Sequence, residues 1–333
     1  MAAAAAAAAV NRGRALRGER SVVHRVARGL DDSAQEVDAV ALCRGAGHID
    51  GGRSWAGGRR RAPGLVRARV NTYVPLKTSV EIERLRVAAE ALERVIAELG
   101  LVVRPGVTTH DLEQVGVLSL ARNGLDSALI GYDGFPAAIC TSVNNVAAHG
   151  VPGSRVLESG DIVTVDVAAG RDGWMADAAW TFAVGRLAPA ARRIVRAAWR
   201  ATMAGVVAAR AGGRIGDIGS AVEREAGRLG CSVVREFTGH GIGRSLHEPP
   251  TLPNVASDGS GEPIVPGMVL NIEPVLTLGD GSVHLLDDGY SYATTDGTLA
   301  AQFEVTVSVR SDRTDILTLG RHRGFAVHDG PPY

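Results

Sequence analysis

Residues 161–185 read DIVTVDVAAGRDGWMADAAWTFAVG and put two carboxylates where a sheet would not ordinarily keep both. From Asp161 to Ala169 the side chains alternate. Val163, Val165 and Val167 share one face, and Ile162, Thr164, Asp166 and Ala168 share the other, the period of a strand. Gly170-Arg171-Asp172-Gly173 reads as a hairpin turn. A turn centred on Arg171 and Asp172 sets Asp166 directly across from Asp177 on one face. Their Cβ atoms then lie about 4.5 to 5.5 Å apart, and two like charges at that spacing destabilise a sheet. A divalent cation between them removes the conflict. A bulge that parts the two side chains, or a carboxylate turned to water, is the alternative.

Acidic residues recur in strand-like runs further along. In 268–274 (MVLNIEP), Asn271 and Glu273 share a face opposite Leu270 and Ile272. In 301–309 (AQFEVTVSV), Gln302, Glu304, Thr306 and Ser308 oppose Phe303, Val305, Val307 and Val309. Any one of these is ordinarily just a solvated face. Together with Asp166 and Asp177, in strands otherwise fit for a core, they read as ligands. The remaining polar cluster is 238–248 (TGHGIGRSLHE), where glycines flank His240 and His247 follows one loop later. His149, in AAHGVPG, is a second glycine-flanked histidine. Carboxylates with one imidazole suit Mn, Fe, Co or Zn, and so much negative charge is better balanced by two divalent ions than by one. Such a pair implies metal-assisted hydrolysis.

The chain has 333 residues, 45% hydrophobic and 22% charged, enough for one large or two small domains. Its formal net charge of zero gives no ground for nucleic acid or a membrane as the main partner, and no apolar run is long enough to span a bilayer. Cys43, Cys140 and Cys231 are scattered and odd in number, which fits a reducing, cytoplasmic setting. Residues 1–73 differ from the rest. An alanine run is followed by an Arg- and Gly-rich stretch without apolar periodicity, expected to be disordered or the product of a start codon set too far upstream. A signal peptide fits poorly, and Glu19, Asp31, Asp32, Glu36 and Asp38 argue against a transit peptide. Lys77 is the chain's only lysine.

Thr78 and Glu81 have capping-box spacing and open a helical pattern that ends at Gly100. Thr108 and Asp111 offer a second cap, for a helix running toward Gly124. The phrase returns 106 residues later. Arg210-Ala211-Gly212, Asp217 and Gly230 follow a third helical run over 189–210, as Arg104-Pro105-Gly106, Asp111 and Gly124 follow the first. This suggests two related halves with a site between them.

Taken in order, Gly131-Tyr132-Asp133-Gly134-Phe135-Pro136, Cys140-Thr141-Ser142-Val143-Asn144, His149-Gly150-Val151-Pro152, the Asp166 and Asp177 hairpin, Gly239-His240-Gly241-Ile242-Gly243, His247-Glu248, Ile272-Glu273-Pro274 and Ala301-Gln302-Phe303-Glu304 resemble the type I methionine aminopeptidases over about 77–319. The resemblance implies an α+β pita-bread fold of two pseudo-symmetric halves, with a catalytic domain over 74–320 and a tail over 321–333. It implies removal of the initiator methionine from nascent polypeptides whose second residue is small. Asp166, Asp177, His240, Glu273 and Glu304 would hold two divalent ions (Co, Mn, Fe or Zn), with Asp177 and Glu304 bridging. Glu273 would also shuttle a proton, His247 would hold the scissile carbonyl oxygen, and His149 would contact the scissile amide. Tyr132, Phe135, Cys140, Leu246 and Tyr290 would line the methionine pocket. A monomer is expected, with the ribosome a candidate partner.

The chain departs from the family pattern in three places. Val305 stands where a histidine is usual, Tyr290 where tryptophan is, and Leu246 where phenylalanine is common. Val305 falls opposite Glu304, so a repacked core is expected there. The rival readings are an Xaa-Pro aminopeptidase or prolidase and a non-catalytic peptide- or ribosome-binding paralogue. Retention of all five expected ligands argues against the second.

Overall fold

The first described helix, α1 (Ser79–Val102), begins where its spacing predicts. Thr78 accepts from the Glu81 amide while the Glu81 carboxylate accepts from the Thr78 amide. It does not end at Gly100. A Cβ there would stand 2.6 Å from the Phe182 ring, so Gly100 lets a neighbouring strand approach inside the helix and is no stop. The computed structural model describes residues 73–255 and 259–318. The extension expected over 1–73 lies, save for Tyr73, outside the described residues, as does the tail over 321–333.

Helix α2 (Thr109–Arg122) opens with the same reciprocal cap, from Thr108 and Asp111. In the second half α3 (Pro189–Ala208) leads into α4 (Ile215–Arg228), where Asp217 accepts from the Arg214 amide. Both ends of α4 fall 106 residues beyond those of α2. Gly106 and Gly212 both have φ of 88°, and Gly124 and Gly230 both have φ of 66°, in the left-handed region that glycine enters without strain. The halves thus repeat their turns as well as their helices.

The strands are β1 (Asp126–Ser127), β2 (Cys140–Val143), β3 (Val146–Ala148), β4 (Ile162–Arg171), β5 (Trp174–Ala183), β6 (Ser232–Val233), β7 (Thr238–Gly241), β8 (Glu248–Pro253), β9 (Val269–Ile272), β10 (Val275–Thr277), β11 (Val283–Leu285), β12 (Tyr292–Thr294), β13 (Ala300–Gln302), β14 (Val305–Val309) and β15 (Thr314–Ile316). Every described pairing is antiparallel. One sheet pairs β4 with β5 on one edge and with β1 and β2 on the other, and a second runs β15-β14-β9-β7-β8. Side chains and backbone join the two. The Thr181 hydroxyl donates to Gln302 O at 2.6 Å, Glu304 N donates to Ala179 O at 2.9 Å, and the Thr306 hydroxyl donates to Asp177 O at 3.0 Å.

The hairpin register differs from the expected one. Arg171 pairs with Trp174, so the turn centres on Asp172 and Gly173, both at positive φ (52° and 73°). An Asp-Gly pair is the one that a two-residue turn of this hand selects. Asp166 therefore faces Ala179, and Asp177 faces Ala168. A shift of two residues keeps every side chain on its face, so the two aspartates remain on one face as diagonal neighbours. Both faces of β4 are covered over most of its length, although alternation of this kind ordinarily marks a strand with one solvated face.

The stretch 301–309 is likewise not one strand. The ladder breaks at Phe303 and Glu304, and β9 ends before Glu273, so both glutamates sit at interruptions of the sheet. Polar residues on these strands do not face water, for Thr306 is 2% exposed and Ser308 0%. One core packs α3 and α4 against the sheets around Trp180, Trp199 and Phe303, whose rings meet edge to face with centroids 5.0 to 5.4 Å apart. Val305 belongs to that core, in line with its opposition to Glu304.

Candidate metal and peptide site

Asp177, His240 and Glu304 arrive on three elements, β5, β7 and the gap before β14, and each offers a ligand atom within 4.8 Å of the other two. His240 Nε2 lies 3.7 Å from Asp177 Oδ2 and 3.2 Å from Glu273 Oε1. Asp166, Glu273, His240, His247 and His149 line one cleft of about 700 Å³. The convergence follows from register. His240 stands beside Asn271, and Asn271 beside Thr306, across three neighbouring strands.

Asn271 was not among the residues expected in the site. It is fully buried, donates to Glu304 Oε1 at 2.7 Å and accepts from the Thr306 hydroxyl at 2.7 Å, so its amide orients the carboxylate. A buried amide on the same strand face as Glu273 was the sequence signal for it.

Burial dominates the electrostatics. It lifts the Asp166 carboxyl to about 7 and holds Asp177, Glu273 and Glu304 well above the ordinary carboxylate range. Mutual repulsion adds to this, from Glu304, Asp166 and Glu273 at Asp177, and from Glu273 and Asp166 at Glu304. Burial lowers His240, against the opposing pull of its hydrogen bond to Gly241 and of Asp166. These side chains fit a divalent cation. Asp177 Oδ1 and Glu273 Oε1 are buried without a hydrogen-bond donor. His240 Nδ1 sits 3.0 Å from the Gly241 carbonyl, which only accepts, so Nδ1 carries the proton and Nε2 turns a lone pair toward Glu273 Oε1. Two acceptors 3.2 Å apart repel unless a proton or a cation lies between them, and atoms about 2.0 to 2.2 Å from one metal stand at such a separation.

The expected pocket residues divide into groups. Phe135, Cys140 and Tyr290 fall in one apolar cluster with Ala137, Leu129 and Val151. The Phe135 and Tyr290 rings meet edge to face at 5.5 Å, and the Tyr290 hydroxyl is tied to Gly134 O. Cys140 is the register partner of Asp166, which sets this cluster against the carboxylates. Tyr132 is instead 40% exposed, and its hydroxyl meets His247 Nδ1 at 2.5 Å. Its reach to His247 makes it a tether for that ring. The His247 ring stands edge to face on His240 with centroids 4.3 Å apart, and Leu246 is buried beside it in the chain. Burial, followed by His240, depresses His247 to about 4, so it is neutral near pH 7. His149, at φ 55°, lines the same cleft with its ring against Phe237 and Tyr292.

Comparison with known proteins agrees with this geometry. The profile of Metallopeptidase family M24 matches residues 83–311. Methionine aminopeptidase A of Synechocystis is 42% identical over 248 residues, 74% of this chain and 98% of the relative. The crystal structure of methionine aminopeptidase from Rickettsia prowazekii superposes with a TM-score of 0.72 at 35% identity, covering 74% of this chain and all of that one. The Xaa-Pro dipeptidase of Bacillus anthracis, at 23% identity and a TM-score of 0.59, shares the fold alone. A metal-fit cluster of buried carboxylates and imidazole, in a fold and sequence shared along nearly the whole length of these relatives, places the chain in metallopeptidase family M24, among the methionine aminopeptidases.

Proposed function

We propose that the cleft removes the initiator methionine from nascent polypeptides whose second residue is small, and that Asp166, Asp177, His240, Glu273 and Glu304 would hold two divalent ions there. When bound, such ions polarise the scissile carbonyl and make water a nucleophile near neutral pH. The chain's own groups do the rest. Glu273 takes the proton of the attacking water and passes it to the leaving amine, a task suited to a buried carboxylate with one oxygen free of donors. If the Tyr132 hydroxyl donates to His247 Nδ1, Nε2 keeps its proton and can donate to the carbonyl oxygen as negative charge develops there. His149 contacts the amide from the wall of the same cleft. The Phe135, Cys140 and Tyr290 cluster, with Leu246, receives the methionine side chain, whose thioether packs well on aromatic edges.

The observation that carries this reading is the contact between an apolar cluster and a carboxylate cluster through Cys140 and Asp166. A monomer acting in the cytoplasm and meeting nascent chains at the ribosome completes it. The test is hydrolysis of Met-Ala-Ser against an Ala-Pro peptide, with bound metal counted per chain. Two metals and preferential release of methionine are expected. Preference for Ala-Pro would move the chain to the Xaa-Pro hydrolases, and a metal-free, inactive protein would make it a binder.

A further inference from the structure

Lys77 is the only lysine among 36 basic Lys and Arg residues, and it is buried, 9% exposed. Its ammonium lies 2.5 Å from Glu248 Oε2, across 171 residues of sequence, and 3.1 Å from Pro75 O. Both side chains of the pair are nearly enclosed, at 6% and 10% exposure. Glu248 Oε1 folds back on its own loop and accepts from the Arg244 and Ser245 amides at 2.8 and 3.1 Å. One carboxylate therefore closes the loop that contains Leu246 and His247, and Lys77 grips its other oxygen. The Lys77 backbone is itself anchored, with its amide on Gly267 O at 2.7 Å.

We infer that Lys77 and Glu248 are a positioning pair, which holds the 243–248 loop so that His247 meets the scissile carbonyl at the geometry the reaction needs. This deepens the proposed function and rests on its assignment of His247. Three observations favour positioning over a mere staple. A buried ion pair gains little stability over an apolar pair of the same size, so stability alone does not account for it. Gly243 lets the loop backbone close on the pair, since a Cβ there would stand 2.4 Å from Lys77 Cε and 2.6 Å from Glu248 Oε1. A planar guanidinium is bulkier, which explains a lysine in a chain that otherwise uses arginine. The pair also completes a set of restraints on one loop. Tyr132 holds the His247 ring from one side, and Arg244 stacks on Trp174 at 4.0 Å and reaches Gly173 O, tying the loop to the hairpin that bears Asp177.

The test compares Lys77→Met and Glu248→Gln with the unaltered enzyme, loaded with Mn and assayed on Met-Ala-Ser. A fall in kcat of about tenfold or more is expected from a small displacement of His247. KM should stay within about threefold and metal stoichiometry should be unchanged. In a His247→Ala background, Lys77→Met should cost less than about twofold more, because the pair acts through the residue already removed. Hydrogen exchange at 242–248 should quicken in both variants, with the rest of the chain unaffected. Unchanged kcat in either folded variant, or losses that multiply in the His247→Ala background, would overturn the inference. Should Lys77→Met not fold, Glu248→Gln, which keeps its size and an acceptor for the loop amides, carries the same test. Quickened exchange in both variants, when the unaltered enzyme itself releases no methionine, would leave the clamp standing but strike out its catalytic meaning.

Discussion

His240 shows how single residues in this site depend on their partners. With Nδ1 committed to Gly241 O, its Nε2 lies beside the carboxylates of Asp177 and Glu273. Removing one of those carboxylates separates two roles. Asp177→Asn is expected to weaken metal binding, read by calorimetric titration. Glu273→Gln is expected to lower kcat by about 10² to 10⁴ on Met-Ala-Ser, the range for a lost general acid-base. Retention of full kcat by Glu273→Gln would remove it as the proton shuttle. The same burial fixes a pH dependence. Between about pH 4, where an unfolded aspartate ionises, and about pH 7, the folded, metal-free chain keeps a proton on Asp166 that the unfolded chain has lost. Because the folded state binds more protons in that window, the metal-stripped protein should lose stability as pH rises through it. Divalent metal should reverse the trend, since binding displaces those protons and tightens with pH. Melting temperatures at pH 5 and pH 8, with and without Mn, check the sign, and a pH-independent melting point for the stripped protein would contradict it.

At the scale of elements, the site depends on strands that approach more closely than side chains ordinarily permit. A Cβ at Gly239 would stand 2.2 Å from Asn271 O, so β7 lies against β9 only because that position is glycine. Gly239→Ala is expected to push the strands apart, cost about 1 to 3 kcal/mol as overpacking does, and move His240 away from the carboxylates. Thermal unfolding and metal titration on the one variant would show both losses; a variant of unaltered stability would mean that the strands yield freely. The hairpin teaches the complementary point. Alternation along each strand, joined by a two-residue turn, placed Asp166 and Asp177 on one face, and moving the turn by one residue shifts the register by two and keeps them there. The turn itself was legible too, in the Asp172-Gly173 pair, but centring it one residue early put the aspartates directly opposite one another instead of on a diagonal.

At the scale of the molecule, the two sheets meet along Asp177 to Thr181 and Gln302 to Thr306, and Thr181 holds both the carbonyl and the amide of Gln302. Thr181→Val leaves both groups buried without partners, at an expected cost of about 1 to 3 kcal/mol, and should loosen the halves at the metal cluster. A lowered melting temperature with weakened metal binding is the expected pair of results, and a lowered melting temperature alone would confine Thr181 to stability. The 106-residue repeat was readable in the sequence because caps and left-handed glycines are local chemistry, and Thr108, Asp111 and Asp217 hold their helix starts wherever those helices pack. The candidate ligands were readable for a related reason, as charge within strands otherwise suited to burial demands compensation. What lay beyond the sequence was which distant groups meet. Asn271 beneath Glu304, Tyr132 on His247 and Lys77 on Glu248 join residues 33, 115 and 171 positions apart. Local preference fixed caps, turns and strand faces, because each is settled among near neighbours along the chain. The partners of buried polar groups were settled only when the sheets closed and water left them nothing else to bind.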